Sequence, residues 1–217
     1  MAPRGRLHPL RSLPKEPPTP SLEGRALDDL GFIRATMERA AAHTAVPDWG
    51  GVWMGLTALI AGPFAIRAPT AGRWFTVWAA TAIVAGSIGV WEMFRRARIE
   101  GVSLFHGAGS RFAKALAPGL ITGMLLTLAL RAVGSLDLLP GVWLLCYGTA
   151  VVGAGAYSIR AVRTMGLSFM LLGGASLIVV VFAPGHRVVG DAFMMAGFGV
   201  LHVVFGLVIA RERQQHG

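Results

Sequence analysis

The chain has 217 residues, 54% of them hydrophobic and only 14% charged, whereas soluble domains carry about 25% charged residues. That balance, with 29 glycines and a positive mean hydropathy, excludes an ordinary soluble globular domain and points to the membrane class. The net charge of +9 raises nucleic acid as a partner, which the placement of the charges removes below.

Arginine outnumbers lysine, whose two positions are Lys15 and Lys114. With the richness in Ala and Gly, this points to a GC-rich bacterial genome. Cys146 is the only cysteine and lies in an apolar run, so no intrachain disulfide is expected. No apolar stretch follows the basic N-terminal residues directly, so a secretory signal is not expected there.

Residues 1–20 hold six of the twelve prolines and several basic side chains beside Glu16. Such a stretch cannot bury a core and is expected to be disordered or polyproline-like. It suits either a basic tail near anionic lipid or a proline-rich ligand. Residues 21–46 predict an amphipathic interfacial helix. Ser21 is a plausible N-cap, Leu27, Leu30, Ile33, Met37 and Ala41 recur at three- and four-residue spacing, and Arg25, Asp28, Glu38 and Arg39 fill the other face. Pro47 ends it.

Residues 47–211 predict a transmembrane domain, with 212–217 as a short tail. Six apolar runs, at 50–67, 74–94, 115–134, 139–157, 166–183 and 190–210, each approach the ~20 residues that cross a bilayer as a helix. The Pro-Gly pairs 118–119, 140–141 and 184–185 are read as run ends, and Pro63 as a kink inside the first run.

Sixteen of the twenty basic residues fall in the N-terminal segment, the second-to-third loop, the fourth-to-fifth loop and the C-terminal tail. Only Arg67, Arg73, Arg131 and Arg187 belong to the opposite set. That alternation puts both termini in the cytoplasm and accounts for the charge without nucleic acid. Trp49, Trp53, Trp74, Trp78, Trp91 and Trp143 all fall near span ends, as interfacial aromatic belts do. Gly51/Gly55, Gly119/Gly123, Ala82/Gly86, Ala85/Gly89 and Ala150/Ala154 form small-xxx-small pairs. These serve packing within the bundle or a homo-oligomer contact.

The common nucleotide, hydrolase, zinc and redox motifs are absent, which points away from an enzyme and implies no cofactor. Asp137 and Asp191 sit at span starts, where a carboxylate suits a helix N-terminus. Glu92 precedes Arg95 and Arg96 by one turn and reads as a local ion pair or as a proton or cation ligand. His202 is the ionisable residue inside the last span and shares helical spacing with Met195, Gly199 and Gly206. Its readings are a satisfied structural histidine, a solute or proton site, or a haem or metal ligand. A haem would need a second axial ligand, and His43, His106 and His186 fall at interfaces or in loops. Ser103–Arg111 holds Gly107, Gly109, Ser110 and Arg111 before a helix, suiting either an anion site or a hinge. Arg160 and Arg163 are positive-inside residues first and lipid-headgroup or partner contacts second.

Several segments resemble a family of six-span bacterial integral membrane proteins of unknown function. They are Ile33-Arg-Ala-Thr-Met-Glu-Arg39, Trp49-Gly-Gly-Val-Trp-Met-Gly55, Pro118-Gly-Leu-Ile-Thr-Gly123, Tyr147-Gly148, Tyr157-Ser-Ile-Arg-Ala-Val-Arg163 and Gly197-Phe-Gly-Val-Leu-His-Val-Val-Phe-Gly206. The resemblance spans roughly residues 30–212 and leaves out the proline-rich tail. It implies that the Met-Glu-Arg segment and the Gly-His-Gly span are shared features, and it implies no activity. Where the family's pattern has polar residues late in span four and an acid early in span five, this chain has Gly153, Gly155, Ala156 and Phe169.

The fold expected is an all-α membrane protein: a six-transmembrane-helix bundle with an N-terminal amphipathic cytoplasmic helix, in a bacterial inner membrane. The function expected is a non-enzymatic sensor or partner-binding protein, with residues 27–41 as the cytoplasmic protein contact. The alternative is a small-solute or ion transporter with His202 on the path, and a redox or enzyme subunit is the third reading. The candidate functional residues are His202, Glu92, Glu38, Arg39, Arg160 and Arg163.

Overall fold

The computed structural model describes residue 24 and residues 27–33, 48–99, 108–156, 158–182 and 187–214. They belong to two units, divided between Thr36 and Met37. In the first, Gly24 and residues 27–33 are helical. The remainder of the expected N-terminal helix, Glu38 and Arg39 included, lies outside the described residues.

The second unit holds six helices long and apolar enough to cross a membrane, and no strand among the described residues. These mark a multi-pass membrane protein. They are α1 (Asp48–Ile66), α2 (Ala71–Ile99), α3 (Ala108–Ala132), α4 (Leu139–Gly155) and α5 (Arg160–Phe182). The sixth, α6, is composite: α-helical Arg187–Met194, a π-helical Met195–Leu201, then α-helical His202–Gln214.

Local chemistry sets several boundaries. Thr70 caps α2, its hydroxyl accepting from the Arg73 N–H at 3.2 Å. The α3 C-terminus closes on Gly134 at φ +78°, with the Ser135 N–H donating to the Leu130 carbonyl at 2.9 Å. That is a Schellman turn, whose left-handed residue favours glycine. Pro140 stands in the first turn of α4, where its missing N–H costs nothing. The pair Pro118-Gly119 departs from the expected run end and lies inside α3. The reason is that α3 begins at Ala108, so its first turns carry Arg111 and Lys114 rather than apolar residues. At 29 residues α2 also outruns the bilayer: it spans about 43 Å against a hydrocarbon core of ~30 Å.

Helix order follows the glycines. In lipid, association rests on close backbone approach and not on hydrophobic transfer. A Cβ on Gly51 would lie 3.3 Å from Gly206 Cα, and one on Gly55 only 2.6 Å from the Gly199 carbonyl oxygen. This packs α1 on α6. Cβ atoms on Gly119 and Gly123 would press on Ala150 and Cys146, which packs α3 on α4. The tightest pairing is α4 on α5. Gly141 and Gly148 of α4 meet Gly173 and Gly166 of α5, and Gly155 meets the Arg163 backbone, all at 3.0 Å or less. Glycines seven residues apart keep one seam facing its partner, as in a left-handed pair. Helices α2 and α3 are peripheral, the first packed on α1 and the second on α4.

Candidate functional site

Two polar constellations occupy the interior, one near the start of α6 and one near its middle. Near its start, Asp191 is 1% exposed. Its Oδ1 accepts two indole N–H groups of α2, from Trp74 at 2.7 Å and from Trp78 at 2.8 Å. The Thr70 cap starts α2 where these two tryptophans, four residues apart, share one face. Trp74 also stacks on Trp143 of α4, with centroids 6.1 Å apart and planes 5° from parallel. Trp143 donates its own N–H to Thr127 Oγ1 of α3 at 2.7 Å. Arg131 of α3 lies over the Phe75 ring at 4.8 Å, a cation–π contact. This cluster joins four helices at the end of the bundle where α2 and α6 begin.

The second constellation surrounds His202, which is 4% exposed. Its Nδ1 lies 3.1 Å from the Phe198 carbonyl and its Nε2 lies 2.8 Å from the Tyr147 hydroxyl. A carbonyl only accepts, so Nδ1 carries the proton, and in the neutral ring Nε2 accepts from Tyr147. Phe198 stacks nearly parallel to the imidazole and Phe169 meets it edge-on. Tyr147 packs edge-on against both phenylalanines. The histidine is thus closed in by three aromatic rings, and each ring nitrogen has a partner.

The expected shared stripe on α6 divides between neighbours. Gly199 and Gly206 lie against α1, whereas the His202 ring goes to Tyr147 of α4 and Phe169 of α5. Glu92 pairs with Arg95 one turn along α2, with Nη2 and Oε2 at 2.9 Å, the local ion pair among its two readings. Arg160 and Arg163 are exposed on the first turn of α5. Of the possible anion segment at 103–111, Ala108–Arg111 belongs to α3 and the rest lies outside the described residues.

The tryptophan reading needs a correction. Trp49, Trp53 and Trp91 are exposed, as belt residues are, but Trp74 and Trp78 are buried. Their N–H groups have an acceptor far away in the chain, so they face inward. Asp191 does more than suit a helix N-terminus: it is the shared acceptor of both indoles. The signal for it was a pair of tryptophans four residues apart at the start of one span and an acid at the start of another. Among the described residues, no group of three or more His, Cys, Asp or Glu side chains could hold a metal ion.

No protein-family model, no curated protein and no solved structure matches the chain. The family resemblance therefore stands on the quoted motifs alone.

Proposed function

We propose that the chain is a non-enzymatic membrane protein that acts by binding a partner, with residues 27–41 as its cytoplasmic protein contact. The observation that supports this reading is the enclosure of His202. Its nitrogens are spent on Tyr147 and on the Phe198 carbonyl, and three aromatic rings surround it. A transporter needs such a group on a hydrated path, and this one serves the packing of α6 on α4. The intramembrane histidine, which by default suggests function, then has a structural account.

The placement proposed is a bacterial inner membrane with both termini in the cytoplasm, on the distribution of arginine and lysine. Homo-oligomerisation through exposed small-residue pairs is a subsidiary possibility of the same reading. Affinity purification of the full chain from native membranes tests it. A specific protein should co-purify and be lost on Glu38→Ala/Arg39→Ala while the bundle still assembles. Purification of the lipid-embedded chain alone, or retention of the protein by that variant, would sink the proposal. The rival is transport of a small solute or ion past His202. Flux in proteoliposomes abolished by His202→Ala in a folded protein would favour it.

A further inference from the structure

Helix α6 changes its winding between its two polar anchors. Met195–Leu201 is π-helical, and its i→i+5 bonds close a wider turn that takes up an extra residue. In an unbroken α-helix, Asp191 and His202 would stand eleven residues, or about three turns, apart and point within roughly 20° of one another. Instead Asp191 reaches Trp74 and Trp78 of α2, while His202 reaches Tyr147 of α4. One extra residue corresponds to about 100° of helix rotation.

π-Turns are rare and occur as single turns inside α-helices, often at functional sites, so the groups that set this one in place matter. The holding groups are identifiable here. Upstream, the two indoles fix Asp191. Downstream, the Tyr147 hydroxyl holds the His202 ring. The seam between is close-packed: Gly197 and Gly199 lie within the π-turn, and Gly206 meets Gly51 of α1, so a rotation must exchange these contacts for others. Relaxing the turn to α-helix, with Asp191 fixed, rotates His202–Gln214 by about 100°. It also takes the imidazole off Tyr147.

We propose that α6 is a two-state rotary element, with Asp191 and its tryptophans as the fixed mount and Tyr147–His202 as the catch. The moving half is His202–Gln214, so rotation changes the face that it presents at its end of the bundle. This stands independently of the partner reading.

Pulsed electron–electron distance measurements on the full chain in lipid nanodiscs test it, in a Cys146→Ser background. One spin label sits at exposed Ile83 of α2 and the other at exposed Val204, below the turn. A second pair, Ile83 and exposed Val188 above the turn, is the control. The starting chain should give one distance for each pair. Tyr147→Phe should add a second Ile83–Val204 population shifted by roughly 8 Å, the chord of that rotation on a helix 10–12 Å across. It should leave Ile83–Val188 unchanged. Deleting Val200 removes the extra residue, so α6 becomes plain α-helix with both anchors in place. Combined with Tyr147→Phe, the deletion should restore the single distance. A single unchanged Ile83–Val204 distance in Tyr147→Phe overturns the proposal, as does joint movement of both pairs. If the deletion variant fails to fold, the Tyr147→Phe arm alone decides.

Discussion

The interior polar residues differ in what their loss should do. Asp191 accepts two indole donors on one oxygen, so its removal strands both in an apolar setting. Asp191→Asn keeps an acceptor oxygen, and Asp191→Ala keeps none. An unsatisfied buried donor costs roughly 1–3 kcal/mol, so Ala should destabilise more than Asn by about that amount. Thermal unfolding of the two variants in one detergent reads this, and tryptophan fluorescence can follow it because Trp74 and Trp78 are two of the six tryptophans. Equal losses for the two variants would mean that the carboxylate's acceptor role is unimportant. Tyr147→Phe removes a single hydroxyl whose partner can still bond the Phe198 carbonyl. Interhelical hydrogen bonds in membranes average about 0.6 kcal/mol, with a maximum near 1.7. The substitution should therefore cost under about 2 kcal/mol and leave the bundle assembled, whereas His202→Ala also empties a ring-sized space and should cost more. Thermal unfolding in one detergent orders the two, and a larger loss for Tyr147→Phe would contradict the packing described.

At the scale of the helices, glycine has two distinct roles that substitution separates. A Cβ on Gly148 would sit 2.8 Å from the Gly166 carbonyl oxygen and 2.8 Å from the Met170 N, both backbone atoms that cannot swing aside. Gly148→Ala should force α4 from α5 and cost about 1–3 kcal/mol, the usual range for overpacking. Gly86 of α2 has nothing within 4 Å, and Gly86→Ala should be neutral or stabilising by up to about 1 kcal/mol of helix preference. A destabilising Gly86→Ala would reveal a neighbour for that face, such as a second copy of the chain. The α4–α5 seam was legible in the sequence as Gly141, Gly148 and Gly155 opposite Gly166 and Gly173. It is missed when only four-residue spacings are sought, because a seven-residue repeat marks a longer and straighter contact. The six spans were legible because each must be continuously apolar, a constraint local to the segment. The π-turn was not, since Met195–Leu201 contains no proline and its winding is imposed by partners on α2 and α4. The same holds for Trp74 and Trp78. Their composition says interface, and only the 113- and 117-residue separations from Asp191 turn them inward.

For the whole molecule, if all six helices cross, α1 starts and α6 ends on one side of the membrane, so one experiment on two helix ends fixes the orientation of the bundle. The end of the bundle with the α2–α3 and α4–α5 connections carries Arg95, Arg96, Arg98, Arg111, Lys114, Arg160 and Arg163. The opposite end carries Arg67, Arg73, Arg131 and Arg187. Of these, Arg131 is engaged with Phe75 and Arg67 donates to the Pro63 carbonyl at 3.1 Å, closing the end of α1. Arg95 at the richer end is likewise paired, with Glu92, so local contacts leave the balance as it is and the count itself carries the asymmetry. Lys and Arg near span ends are retained in the cytoplasm, so the richer end should face inward. In a Cys146→Ser background, Val133→Cys at the exposed end of α3 should react with a membrane-impermeant maleimide in right-side-out vesicles. Arg98→Cys at the exposed end of α2 should react only after the membrane is permeabilised. The reverse pattern would overturn the orientation while leaving the six-helix architecture intact. Labelling of both positions from outside would break the alternation that six crossings demand and would overturn the span assignment itself.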